Sequence, residues 1–533
     1  MAPSSVILLQ GGTLLLHNES NHIAPTTADL LIIDSLISRI GPDLLQHCPE
    51  NTRVVDCRDK IISPGFVDTH RHLWQTQYKG AHDDHGLVPY IPRGNFTATL
   101  WSPEDLFWGE LAGALESIDA GTTTVVDHSH CNPTPDHPQA AIQALVSSGL
   151  RAVYCFTPAR RLVSLAPLKV EDDTFSEESL SIYRALAKAG PFGGSGSGSG
   201  NGGDGDGRVH MGYANDSLYA PADVLKRFYA DLRDPAHGRP AKVITSHALG
   251  GALTNTGAGR GGPTAVQVLH SHGLLGPDVL LAHATSPHDV DADLYRASGA
   301  CVSSTPNTEL QMGLFPVALR PDHYDHASLG VDCHSWGVPG IPGQMRMMLQ
   351  AARFERGEWF ASQGLWSRDT GFAAEQVFNL GTLGGARAAG LQGEVGSLKV
   401  GMKADILVFD TDSPGMLAAA SENPVAAIVL HSNPSDIEMV IVDGVVRKEG
   451  GKLLDTRVTA APVEEKSVVS PGTTLSWKAV ARKILDSQHS LKTRAKGMDF
   501  EADEEVLIDM MHLSRETMVK GIHSSSQSYL IQA

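Results

Sequence analysis

Cysteine is scarce in this sequence. Cys48, Cys57, Cys131, Cys155, Cys301 and Cys333 are scattered over 533 residues, with no Cys-x-x-Cys pair. That spacing argues against a disulfide framework and predicts free thiols in a reducing compartment, the cytoplasm. Positive charge is short as well: 42 Lys and Arg face 60 Asp and Glu, for a formal net charge of -18. Nucleic acid and anionic membrane both require clustered basic residues, so neither is expected as a partner. Nor does any apolar run approach the ~18 residues of a membrane span. The opening "MAPSSVILLQGGTLLLHNES" has no basic leader, and "QGG" interrupts its apolar runs. It reads as two short strands rather than a signal peptide. Charged residues make up only 19%, against 41% hydrophobic, which excludes a disordered chain and supplies a large core.

Residues 1–60 are short apolar strands with turns, such as "SVILLQGGTLLLH" and "ADLLIIDSLISRIGP". Residues 391–455 have the same texture, in "ADILVFD" and "IEMVIVDGVVRKEGGKLL". Both flanks are expected to build one small β-sandwich domain. Between them, over residues 61–390, strands alternate with helical stretches. The strand candidates are "SPGFVDTHRH", "TTTVVDHSH", "LRAVYCFTP", "RVHMGYANDS", "KVITSHAL", "DVLLAHAT", "CVSSTPNTE" and "SLGVDCH". Segments such as "PEDLFWGELAGALESIDAG" have the spacing of amphipathic helices. This is the count of an α/β fold of the TIM-barrel type, (β/α)8, in which polar side chains collect at the C-terminal strand ends. Residues 193–207, "GGSGSGSGNGGDGDG", have nothing to bury and read as a flexible loop on the face away from the chemistry. Residues 456–533 read as a helical extension that packs on the body or on a second subunit of a homodimer.

The strand ends carry the chemistry. His70 and His72 end the first, His247 lies on the fifth, His283 on the sixth and Asp332 on the eighth. Residues i and i+2 of a strand share a face, so His70 and His72 can both look into the barrel and bind one ion. Imidazole with carboxylate suits Zn²⁺, with Fe²⁺ also acceptable, and a catalytic ion keeps one position open for water. A lone histidine at a strand end is usually just a polar residue with a satisfied hydrogen bond. It is the joint pattern that points to a metal.

These residues resemble the amidohydrolase superfamily. "PGFVDTHRH" is similar to its first-strand motif, and "GSLKVGMKADILVFD" with "VIVDGVVRKEGGKL" to its small β domain. "GTTTVVDHSH" and "TELQMG" resemble the branch of triazine and cytosine aminohydrolases, especially the hydroxyatrazine type. The likeness runs over about residues 5–455 and leaves out the glycine-rich insert and the extension. It implies His70, His72, His247 and Asp332 as metal ligands. Asp332 would also accept a proton from water, and His283 would polarise the substrate or hold the bound water. Binuclear members carry a Lys or Glu at the fourth strand; "RVHMGYANDS" has neither, which implies a single divalent ion.

One departure stands out. Deaminases of this branch place a Glu three residues after the fifth-strand histidine, to protonate the leaving amine. Here "HALGG" puts Gly250 there. Candidate replacements are His283, Glu309, and either His128 or His130. Trp74, Gln75 and Trp336 lie just past ligand motifs; they either contact a flat substrate or pack the loops over the barrel mouth. Arg71 should face the outer helices, and "HDDHG" at 82–86 should line the entrance or be solvated. The expected activity is metal-dependent hydrolysis of a C–N bond in a small, heterocyclic molecule. The alternatives are a non-hydrolytic step at the same site (elimination, hydration or ring opening, in secondary metabolism) and, more remotely, a metal-free scaffold.

Overall fold

The computed structural model describes residues 5–158, 161–165, 168–171, 174–194, 207–250, 262–510, 513, 515 and 518. The Gly/Ser-rich insert lies outside the described residues except for Gly193, Gly194 and Gly207.

All the predicted barrel strands form. They are Phe66–Arg71, Thr122–Ser129, Arg151–Phe156, Val209–Ala214, Ile244–His247, Val279–Ala282, Cys301–Ser304 and Ala327–Leu329. They lie side by side in chain order as one parallel eight-stranded sheet. The ring closes between first and last strands through a parallel bridge of Arg71 with Asp332. Phe66–Arg71 and Thr122–Ser129 are buried along their whole length, as expected for strands packed inside and out. The helix Pro103–Asp119, which links them, starts with a capping box. The Ser102 hydroxyl accepts from the Asp105 amide, and the Asp105 carboxylate accepts from the Ser102 amide. Inside the barrel, beneath the mouth, the layer is small and polar: Thr69 Oγ1 lies 2.7 Å from Ser303 Oγ and 2.8 Å from Ser328 Oγ.

A nine-stranded sheet draws on both ends of the chain. Strand Lys60–Pro64 pairs antiparallel with Ile406–Asp410, with Pro64 opposite Ile406. Ile7, Leu9, Leu30, Ile62, Ile406 and Ile441 help fill this sheet's own core. Arg151, buried at the start of the third barrel strand, ties sheet to barrel by donating to the Asp405 carboxylate at 2.8 and 3.0 Å and to Asp443 at 3.1 Å.

The extension packs on the body. Helix Trp477–Arg494 lies on helix Pro103–Asp119; Ser487 and Arg494 both donate to Asp105, at 2.6 and 2.5 Å. Helix Phe500–Met510 lies against the turns of residues 87–95. Among the described residues, no helix is long and apolar enough to cross a membrane.

Candidate metal centre

The barrel mouth gathers the predicted polar residues. His70 belongs to the first strand and His72 follows its last residue; His247 ends the fifth strand, and His283 follows the sixth. One donor atom from each of His70, His72, His247 and Asp332 falls within 4.8 Å of all the others. Asp332 Oδ1 lies 3.1 Å from His72 Nε2 and 3.5 Å from His70 Nε2. Two of these residues occupy costly backbone conformations: His283 has φ +69° and Asp332 φ +71°. Left-handed backbone at residues other than glycine persists where the surrounding structure enforces it, commonly at functional sites.

The hydrogen bonds around the cluster fix which nitrogens face inward. His72 Nδ1 meets the His128 carbonyl oxygen at 2.7 Å, and His247 Nδ1 meets Asp216 Oδ1 at 3.1 Å. Carbonyl and carboxylate oxygens only accept, so both Nδ1 atoms carry the proton and donate. The Nε2 atoms then present lone pairs to each other at 3.3 Å, beside the Asp332 carboxylate. His70 is fully buried, and neither of its ring nitrogens has a hydrogen-bond partner. A buried set of acceptors without donors calls for a cation, so these residues fit a divalent metal.

The ionisation of the metal-free chain shows the same demand. Burial alone would raise Asp332, but the neighbouring His70 and His72 imidazoles hold it well below the ordinary carboxylate range. Burial alone would lower His247, but Asp216 and Asp332 raise it. Burial pushes His70 well below the ordinary histidine range.

A second ring of residues supports the cluster. His283 Nδ1 lies 2.9 Å from Thr305 Oγ1 and 3.4 Å from the Glu309 carboxylate. Glu309 is fully buried; burial raises its carboxyl, and its Oε1 accepts the Thr305 amide at 2.9 Å. It lies not on a strand end but in a short helix, Pro306–Gln311, because Pro306 starts a turn directly after the seventh strand. His128 Nε2 meets Asp216 Oδ2 at 3.2 Å, and burial lowers His128 to about 4. His130 stacks on His72 with ring centroids 4.3 Å apart.

Trp74 offers no open face. It is fully buried, packs edge-on against Trp101 at 4.8 Å and donates its indole N–H to His130 Nδ1 at 3.1 Å. Gln75 is equally buried and donates to the Tyr90 hydroxyl at 2.9 Å. Trp336 is half-buried, lies 4.7 Å from the Tyr90 ring and donates to Thr308 Oγ1 at 3.3 Å. Arg71 faces outward, to Asp68 at 3.5 Å and Glu116 at 3.6 Å. In "HDDHG", His82 and His85 face each other with Nδ1 atoms 3.3 Å apart. Gln311 reaches across from the seventh-strand loop to the Asp83 carbonyl at 2.7 Å. Gly250 donates its amide to Thr285 Oγ1 at 3.2 Å.

Sequence reasoning missed Asp216. The fourth strand holds neither the Lys nor the Glu of binuclear sites, and Asp216 stands two residues past its end at Ala214. The available signal is the polar tail "ANDS", of the kind that ends the strands carrying the clustered donors.

The sequence profile of the amidohydrolase family matches residues 61–447. The chain belongs to that family. Like other amidohydrolases it is a hydrolase acting on carbon–nitrogen bonds other than peptide bonds. It is 26% identical over 459 residues to 5'-deoxyadenosine deaminase of Methanosarcina acetivorans, covering 85% of this chain and 94% of that one. It is 27% identical over 463 residues to 5-methylthioadenosine/S-adenosylhomocysteine deaminase of Carboxydothermus hydrogenoformans, covering 85% and 95%. Among solved structures, a zinc-bound adenosine deaminase from Xanthomonas campestris superimposes with a TM-score of 0.69 at 17% identity, covering 91% and 98% of the two chains. Atrazine chlorohydrolase from Arthrobacter aurescens TC1, complexed with zinc, gives 0.67 at 18% identity, covering 91% and 100%. At these identities the structures establish the shared barrel fold. The TIM barrel expected from the strand pattern is the fold observed.

Proposed function

We propose that this protein is a hydrolytic deaminase that takes an amino group from a nitrogen heterocycle, with one divalent ion, zinc ahead of iron, held by His70, His72, His247 and Asp332. The observation that carries the reading is the convergence of those donors within 4.8 Å, with lone pairs and a carboxylate turned inward. When bound, such an ion acts as a Lewis acid and activates water for attack. Asp332, held ionised, accepts the proton that water gives up. His283, anchored at Nδ1 by Thr305 and Glu309, delivers a proton to the departing nitrogen. Buried Glu309 takes over the place in the proton path that a Glu at position 250 fills in similar deaminases. His128, His130 and Trp74 keep the ligand rings in place, Gln75 holds Tyr90 from behind, and Trp336 belongs to the wall around the substrate. Adenine nucleosides lead the candidate substrates, because similar deaminases carry those names.

A second reading has one observation behind it: with Gly250 in place of the acid, the site can run an elimination or ring opening that releases no ammonia. One experiment separates the two. Zinc-loaded protein is incubated with a panel of purine nucleosides and aminotriazines in ¹⁸O-water, and ammonia and product mass are followed. Ammonia release with one ¹⁸O in the product is expected. Turnover without label would overturn the hydrolytic reading.

A further inference from the structure

The extension beyond the family match meets the turns around the site twice: helix Trp477–Arg494 bonds to Gln77, past His72, and helix Phe500–Met510 packs on residues 87–95. Residues 87–95 form helical turns (Leu87–Tyr90 and Ile91–Asn95) that touch Gln75 and Trp336, just past His72 and Asp332. On their outer side lies helix Phe500–Met510. Arg93 pairs with the Glu504 carboxylate, donates to the Pro89 carbonyl at 2.8 Å and sits over the Phe500 ring at 5.1 Å. Both members of the ion pair are only about a quarter exposed, at 22% and 24%. Val88, Ile508 and Leu513 close an apolar cluster beside it. On the inner side the same turns hold the site. Gln75, just past His72, donates to the Tyr90 hydroxyl at 2.9 Å and to Asn95 Oδ1 at 3.1 Å. The Tyr90 ring packs against Trp336, just past Asp332.

We propose that Glu504 is a positioning residue for substrate binding: through Arg93 it holds Tyr90 and Asn95, which set Gln75 and Trp336, so the C-terminal helix completes the wall of the site. The inference rests on the reading of this mouth as the substrate's. A charged, partly desolvated Arg–carboxylate pair with a ring stacked on the guanidinium fixes orientation as well as proximity. Without it, the turns keep their small apolar contact but lose the directional one. Wall side chains displaced by a fraction of an ångström cost binding before they cost chemistry, because none of them touches the reacting atoms.

The test uses the full-length, zinc-loaded chain and three variants: Glu504→Ala, Arg93→Glu, and the swap of Arg93→Glu with Glu504→Arg. Hydrogen exchange is read by mass spectrometry over residues 87–100 and over the barrel strand Phe66–Arg71, and KM and kcat on the best substrate of the panel. In Glu504→Ala and Arg93→Glu, exchange over 87–100 should accelerate ~10-fold while the barrel strand stays protected. KM should rise ~10-fold with kcat changed by less than ~3-fold, and the swap should restore both readouts. Unchanged exchange over 87–100 overturns the proposal. So does faster exchange with unchanged KM, or a swap variant with a protected barrel strand that recovers neither. If the unmodified chain turns over no member of the panel, the substrate reading falls, and the exchange measurement alone decides whether the clamp exists.

Discussion

The backbone N–H of Asp332 donates to the carbonyl of His70 at 2.8 Å, and the N–H of His72 donates back to the carbonyl of Asp332 at 3.2 Å. These two bonds close the barrel. The same two bonds set three of the four clustered donors side by side. The centre's geometry is therefore inherited from the seam of the sheet, a rigid element, rather than from loops.

Gly330 lets the seam close. A Cβ there would lie 2.8 Å from both the amide nitrogen and the carbonyl oxygen of His70. Backbone on both sides cannot rotate away. Gly330→Ala is expected to destabilise the chain by about 1–3 kcal/mol and to lower its zinc content. Thermal denaturation and elemental analysis measure the two effects; a native melting temperature with full metal content would refute the role assigned to the seam.

Asp216 orients His247 through both the ring Nδ1 and the backbone amide, the latter at 2.9 Å. Removing such a support commonly costs ~10–100-fold in metal affinity. Asp216→Ala should weaken zinc binding by that factor, measured by competition with a chromogenic chelator. The expected change in melting temperature without metal is small. Unaltered affinity would mean that the ring is held by packing alone.

His283 and Glu309 are assigned the proton for the leaving nitrogen. His283→Asn should lower kcat by ~10²–10⁴ while zinc content stays at one per chain. Glu309→Gln should produce a smaller loss, because an amide oxygen still accepts the Thr305 amide. A fully active His283→Asn enzyme would send the search for the acid to His128 and His130.

The buried carboxyls of Glu110 and Asp127 predict a pH effect with a defined sign. Burial raises both, Glu110 further by the charge of its neighbour, and Asp127 reaches about 7. In the unfolded chain they titrate near ~4. Between these values the folded chain holds a proton that the unfolded chain has lost. The pair's contribution is therefore complete at low pH and is lost as pH rises through about 7. Glu110→Gln removes one of the two ionisations. From pH 5 to 7 the unmodified chain should lose stability relative to the variant by up to about 1.4 kcal/mol per pH unit. Urea denaturation at each pH checks this, and parallel pH profiles for the two proteins would contradict it.

The barrel was legible because its strands are apolar early and polar late, and because His70, His72, His247, His283 and Asp332 all sit at that transition. Helix Trp477–Arg494 was legible from its spacing. Asp216 is hidden because the family pattern expects a Lys or Glu at the fourth strand, whereas the carboxylate here is an Asp just past the strand's end. Trp74 could not be placed, since its indole N–H depends on His130, a residue from another strand. Nothing local in "DFEADEEVLIDMM" indicates that Glu504 meets Arg93. That contact depends on two remote segments packing together, and amphipathic spacing reports only that a face will be buried, not against what.

The small sheet built from both ends of the chain also has a consequence in time. Strand Lys60–Pro64 emerges early in synthesis, while its neighbour Ile406–Asp410 emerges only after the entire barrel. At ~5–20 residues per second the wait lasts on the order of tens of seconds. Throughout it the nascent chain carries an apolar strand with one edge open, a template for pairing with other chains. Productive folding of this enzyme in a crowded cell depends on keeping that edge covered until the last third of the polypeptide arrives.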